Sequence, residues 1–161
     1  MMENKSVFLI VLVPLFVLVL VSLWWRMPAA AAEKAEQSLY ERLGGVYAIA
    51  SVVDDFIDLL YVNDVLNANP AIKEARERVP LPGLKYRVTS MVCQATGGPC
   101  TYTGRSMKEA HKHLNITERE WQAMLADFRR VLNNYQVPQR EQNELIAILE
   151  STKKDIVISA K

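Results

Sequence analysis

Histidine, cysteine and net charge are all scarce in this chain, and each shortage excludes a chemistry. The two cysteines, Cys93 and Cys100, form neither a CxxC pair nor the CxxCH signature of covalent haem attachment. No cluster of Cys, His and Asp has zinc-ligand spacing, and no Ser or Cys stands near a histidine as a triad would require. There is no phosphate loop, no internal repeat and no useful length of strand-like alternation. Residues 1–32 contain Glu3, Lys5 and Arg26, so the totals of 19 Lys+Arg and 18 Asp+Glu fall to 17 of each beyond them. A segment with balanced charge, no basic tail and no basic-aromatic interleaving is not built for nucleic acid.

Apolar residues are plentiful but unevenly spread. Residues 6–25, SVFLIVLVPLFVLVLVSLWW, carry no charge over a length that spans a bilayer as a helix. Lys5 precedes the run, Arg26 follows it, and MPAAAAEKAEQ comes next. Two readings stand. The run exceeds the usual signal core of about 7–15 residues, and Arg26 separates it from a cut site after Ala32, which favours an uncleaved anchor. The Ala-x-Ala pattern favours cleavage. Either way residues 33–161 are expected outside the inner membrane, anchored to it or secreted to the periplasm; the opposite orientation, with the domain inside, is the weaker alternative that nearly balanced flanking charges leave open. In an oxidising compartment Cys93 and Cys100 can pair; the plainer alternative buries Cys93 as a small hydrophobe.

Residues 33–161 are expected to form one all-α domain. Ile49, Val52, Val53, Phe56, Leu59 and Leu60 share a helix face, as do Leu84, Val88, Met91, Val92 and Ala95. The clearest stripe is Trp121, Met124, Leu125, Phe128, Val131, Leu132 and Tyr135, opened by the capping box Thr117-Glu-Arg-Glu120. A last helix is expected from Pro138 as a first-turn residue, burying Leu145, Ile146, Ile148, Leu149, Ile156 and Val157. A short helix is expected between the prolines Pro70 and Pro80; Gly97-Gly98-Pro99 closes the later helix that carries Leu84, and an irregular stretch follows to Arg105.

Both histidines lie in RSMKEAHKHLNITEREW. In a short helix over residues 106–114, Met107, His111 and Leu114 share a face, while His113 lies with Glu109 toward water. A lone histidine on an apolar face is usually a hydrogen-bonded core residue. The chemistry open to it without neighbouring ligands is axial coordination of a haem iron within an apolar cavity.

Several short pieces in order, LYERLGG (39–45), VVDDF (52–56), GGP (97–99), YTG (102–104), MKEAH (107–111), NIT (115–117) and VP (137–138), resemble the group I truncated haemoglobins, the 2-on-2 globin class. The resemblance covers nearly all of the domain. It implies helix pairs packed across haem b, with His111 as iron ligand and Tyr102, Met107, Trp121 and Phe56 at the pocket. It also marks departures. Where many members place a distal tyrosine this chain has Ile57, and Leu84 and Val88 stand where glutamines often face the iron. Three apolar residues cannot hydrogen-bond a gas ligand, leaving Tyr86, Arg87 or Tyr61 as candidate donors; Arg87 alternatively pairs with a haem propionate or stays in solvent. The family's Phe-Phe clamp aligns with Asn69-Pro70, and the segment before Leu84 is longer than usual. The implied function is reversible binding of O2, NO or CO as carrier, store or sensor. Alternatives are a haem enzyme, an NO dioxygenase or peroxidase served by an unknown reductase, and a haem-free helical interaction module.

Overall fold

The computed structural model describes residues 36–158. The uncharged run at residues 6–25 and its Ala-rich tether lie outside them. Eight helices follow in order: α1 (Leu39–Arg42), α2 (Gly45–Val62), α3 (Asp64–Asn67), α4 (Pro70–Arg78), α5 (Leu81–Ala95), α6 (Met107–His111), α7 (Glu118–Asn134) and α8 (Gln139–Ile156). The single β-bridge among the described residues joins Ile116 to Val157. None of the described helices is long and apolar enough to cross a membrane.

The helix starts follow from local chemistry. Thr117 and Glu120 form the expected capping box, and Ser38 with Glu41 forms a second at α1. Asn63 caps α3, and Asn69 caps α4 by accepting from the amides of Ala71 and Ile72. Pro70 then occupies the first turn of α4, where a missing N–H leaves nothing unpaired. Pro138 sits one position earlier than expected, as the residue that caps α8.

The core is built from one face of α2 (Ile49, Val53, Phe56, Ile57), one face of α7 (Phe128, Val131, Leu132) and Leu145 and Ile146 of α8. Phe56 and Phe128 meet with ring centroids 5.0 Å apart. Burying such side chains contributes roughly 1.5–3 kcal/mol each. Helix α2 packs on α5 and α7, α3 on α7, and α6 on α8. The stripe of α7 ends sooner than its periodicity suggests. Tyr135 is exposed, because the helix stops at Asn134 and Gln136 turns to positive φ. Its hydroxyl instead donates to Asp55 of α2 at 2.9 Å. Ala95, expected on the buried face of α5, is also exposed at the last turn of that helix.

The end of α5 explains why LYERLGG and GGP occur together. Gly97, at φ +88°, donates to the Gln94 carbonyl and Gly98 donates to the Cys93 carbonyl, a Schellman closure. The Tyr40 amide donates to the Thr96 carbonyl, and the Tyr40 ring covers Gly98. The Tyr40 hydroxyl in turn accepts from the Val46 amide at the start of α2. A Cβ on Gly98 would lie 2.4 Å from the Tyr40 ring and 2.8 Å from the Cys93 carbonyl oxygen. Gly98→Ala is therefore expected to cost about 1–3 kcal/mol, as overpacking against backbone does, read from the midpoint of denaturant unfolding.

Candidate functional site

Helix α6 is five residues long and is started by Ser106, whose side chain accepts from the Glu109 amide. Its length sets the site. Met107, His111 and Leu114 are half-buried, and His113 and Glu109 are exposed, so the two histidines part as their spacing suggests. His111 Nδ1 lies 2.8 Å from the Met107 carbonyl oxygen. A carbonyl only accepts, so Nδ1 carries the proton and Nε2 keeps its lone pair. Burial lowers the His111 pKa, against a smaller raising by the Met107 bond, and Arg105 lowers it further. The ring is a neutral imidazole with one free basic nitrogen on an apolar face.

Helix α5 faces the other way round. Among the closely packed helix pairs it contacts α2 only. Its apolar stripe, Leu81, Leu84, Val88 and Val92, packs beside the core yet stays half-buried, while Ser90 and Cys93 on the opposite flank are buried. The α5 stripe is thus left half-covered, and Met107 of α6 and Leu114 just beyond it present a second half-buried apolar side. Two surface depressions exist elsewhere, one around Asp54, Asp55 and Tyr135 and one around Thr117, Lys153 and Ile158, and neither includes His111.

The other expected site residues are placed as follows. Phe56 and Ile57 belong to the core cluster, with Leu84 and Val88 against it. Tyr102 is half-buried; its amide donates to the Gln94 side chain at 2.6 Å, and its hydroxyl donates to the Arg105 carbonyl at 2.8 Å. Trp121 is 1% exposed, with Nε1 donating to Glu150 at 3.4 Å, which is the setting of a core residue. Arg87 is exposed. Cys93 is both wholly buried and joined to Cys100, so the two readings of the cysteines hold together. The bridge closes a short loop, for which chain entropy gives a stabilisation of roughly 2–3 kcal/mol, and it anchors the irregular segment that leads to α6.

Sequence reasoning missed the contacts of three residues here, of which Tyr61 is expected only as a candidate donor. Asn69, standing where an aromatic clamp was expected, donates through Nδ2 to the Leu114 carbonyl at 2.9 Å, just beyond His111. It also bonds Glu120, where burial would raise the carboxyl pKa but hydrogen bonds from Thr117 and Asn69 outweigh it and hold the group low. Asn69 thus ties α4 to the turn between α6 and α7. Asn69→Ala removes a helix cap and this tie, with an expected loss of about 2 kcal/mol, checked by thermal unfolding. The second and third are Tyr61, whose buried hydroxyl has no hydrogen-bond partner, and Arg76 of α4, whose guanidinium lies 4.6 Å from the Tyr61 ring centroid. The signal for Asn69 was present as an Asn-Pro helix start; the contacts of the other two are non-local.

Set beside known proteins, residues 38–158 match the family described as bacterial-like globin. A group 1 truncated hemoglobin of Tetrahymena pyriformis is 28% identical over 121 residues, 75% of this chain and 95% of that protein. One from Synechocystis is 28% identical over 126 residues, 74% of this chain and 97% of that protein. The crystal structure of the Tetrahymena pyriformis truncated hemoglobin in its Fe(III) form superposes with a TM-score of 0.63 at 27% identity, covering 76% of this chain and all of that one.

Proposed function

The chain belongs to the bacterial-like globin family, and we propose that His111 is its iron ligand and that the domain works outside the inner membrane. It is a haem-binding globin of the truncated, all-helical kind; its cofactor is haem b and its ligands are diatomic gases. Haem b supplies the iron at which such a gas binds reversibly.

The observation that carries the assignment is the His111 ring: neutral, oriented by its Nδ1–H bond to Met107, with Nε2 unengaged. A hydrogen bond at the second nitrogen fixes the tautomer and raises the basicity of the coordinating one. Met107 and Leu114 beside it, and Leu84 and Val88 of α5, are half-buried apolar residues that would keep water from the porphyrin. Tyr102 braces the loop before α6 through its hydroxyl bond to the Arg105 carbonyl. The residues present therefore fit the group. Because the walls nearest Ile57, Leu84 and Val88 are apolar, reversible binding as carrier, store or sensor is favoured over turnover.

Export is supported by the uncharged run at residues 6–25 and by the Cys93–Cys100 bridge, since such bridges persist where thiols are not kept reduced. An uncleaved run makes the protein a membrane-anchored globin; cleavage after Ala32 releases it to the periplasm. Fractionating the full chain with and without detergent distinguishes the two, and recovery in the cytosol with both cysteines reduced rejects export. The haem assignment is tested by ferric and ferrous absorption spectra after adding haem. A Soret band with histidine-type coordination is the expected result, and its absence would overturn the reading.

A further inference from the structure

Helix α6, which carries His111, is poorly equipped to hold its own place. It is five residues long, none of its side chains is fully buried, and among the closely packed helix pairs it meets α8 alone. Its position is therefore set largely by the segments that lead into it and out of it. On the way out, Asn69 donates to the Leu114 carbonyl and the Ile158 amide donates to the Ile116 carbonyl, each at 2.9 Å. On the way in, the irregular segment between Ala95 and Met107 is tied back to α5 twice. One tie is the Cys93–Cys100 bridge; the other is the Tyr102 amide, which donates to the Gln94 side chain at 2.6 Å.

From Tyr102 the order is passed on locally. Its hydroxyl donates to the Arg105 carbonyl, its ring fills the space that a Cβ on Gly104 would need, and Ser106 then caps α6. Arg105, at the end of this segment, is close enough to act on the charge of His111. The two ties differ in kind. Gln94 is exposed, so water competes for its hydrogen bond and the net gain is small. The bridge is covalent, and it is lopsided: Cys93 is wholly buried while Cys100 is half-buried, so Cys100 is the side open to attack.

We propose that the Cys93–Cys100 bridge positions the iron ligand: closed, it fixes α6 and the His111 ring relative to α5, and opened, it lets α6 shift and weakens haem binding. The proposal rests on the haem reading above and makes the haem site responsive to the thiol–disulfide balance around it. Opening needs a dithiol reductant. One thiolate of the dithiol attacks the Cys100 sulfur, the Cys93–Cys100 bond breaks, and Cys93 leaves as a thiolate that takes up a proton. The second thiolate of the dithiol then attacks the mixed disulfide and releases Cys100 as a thiol, and the reductant departs as a disulfide, oxidised by two electrons.

The test uses the full chain in detergent, loaded with haem, in three forms: wild type with the bridge intact, wild type opened with dithiothreitol, and Cys100→Ser, which leaves Cys93 as a buried thiol. Haem loss, followed as transfer to excess apomyoglobin, should quicken about tenfold in both opened forms, the lower end of the range for removing a partner that orients a metal ligand. The iron–histidine stretching band of the ferrous protein should move and broaden in both, and should return when the wild type is reoxidised. Dithiothreitol should leave Cys100→Ser unchanged. A bridge that only stabilises the fold would lower the unfolding temperature and leave that band where it was, which overturns the positioning role. Equal haem loss in open and closed forms overturns the proposal alone, and a bridge that dithiothreitol fails to open in the folded protein overturns the redox response. A bridged wild type without a Soret band overturns the proposal and the haem reading together.

Discussion

His111→Ala is expected to lose the Soret band at haem concentrations that saturate the wild type. Losing a second-sphere partner of a metal ligand lowers affinity by about 10–100-fold; losing the ligand itself should exceed that range. No replacement stands by. His113 is exposed on the other side of the same segment, and the described residues contain no group of three or more His, Cys, Asp or Glu suited to a metal. The fold should survive, since His111 is half-buried and its recorded hydrogen bond is the local one to the Met107 carbonyl. Far-ultraviolet circular dichroism should therefore match the wild type. Free imidazole added to the variant should restore part of the haem spectrum by occupying the vacated position. His113→Ala should behave as wild type in every respect. An unchanged ferrous spectrum in His111→Ala would remove this residue from the iron.

Trp121→Ala is expected to destabilise the domain by about 3–5 kcal/mol, the usual loss for a fully buried large aromatic. That is a large part of the roughly 5–15 kcal/mol available to a domain. Trp121 was expected at the pocket wall, and its burial makes a sharper test possible. A residue whose main contact is the haem loses little when truncated in the haem-free protein. A residue of α7 that is 1% exposed and bonded to Glu150 of α8 loses as much without haem as with it. Denaturant unfolding of both forms separates the cases, and a loss confined to the haem-loaded form would mark Trp121 as pocket wall. The Lys153 ammonium lies 6.0 Å from the Trp121 ring and pairs with Glu118, so this end of α8 is tied to the start of α7 by a cation–π contact and an ion pair.

Much of the site could be read along the chain because its causes are local. The capping box of Thr117 and Glu120 involves residues three apart, so four letters suffice to announce it. The division between His111 and His113 follows from the helical period alone. Tyr135 shows the limit of the same rule: periodicity continues through it, but the helix ends one residue earlier, and the left-handed turn at Gln136 swings the side chain out to Asp55. Asn69-Pro70 illustrates the converse. Compared with relatives it looks like a lost aromatic pair, yet locally it is a well-formed helix start, and only the fold reveals that its amide also reaches Leu114, 45 residues away.

By itself, then, the amino-acid order determined the helical class, the helix starts, the inward histidine and the absence of donors at Ile57, Leu84 and Val88, because each depends on residues within one or two turns. Tertiary structure decided that Cys93 is both buried and bridged, that Trp121 is fully buried, that Tyr40 covers Gly98, and that Tyr61 lies under Arg76 with its buried hydroxyl unsatisfied. These depend on how separate helices meet. Helix periodicity says which way a side chain leaves its own axis, but what it encounters there is set by packing between segments far apart in the chain.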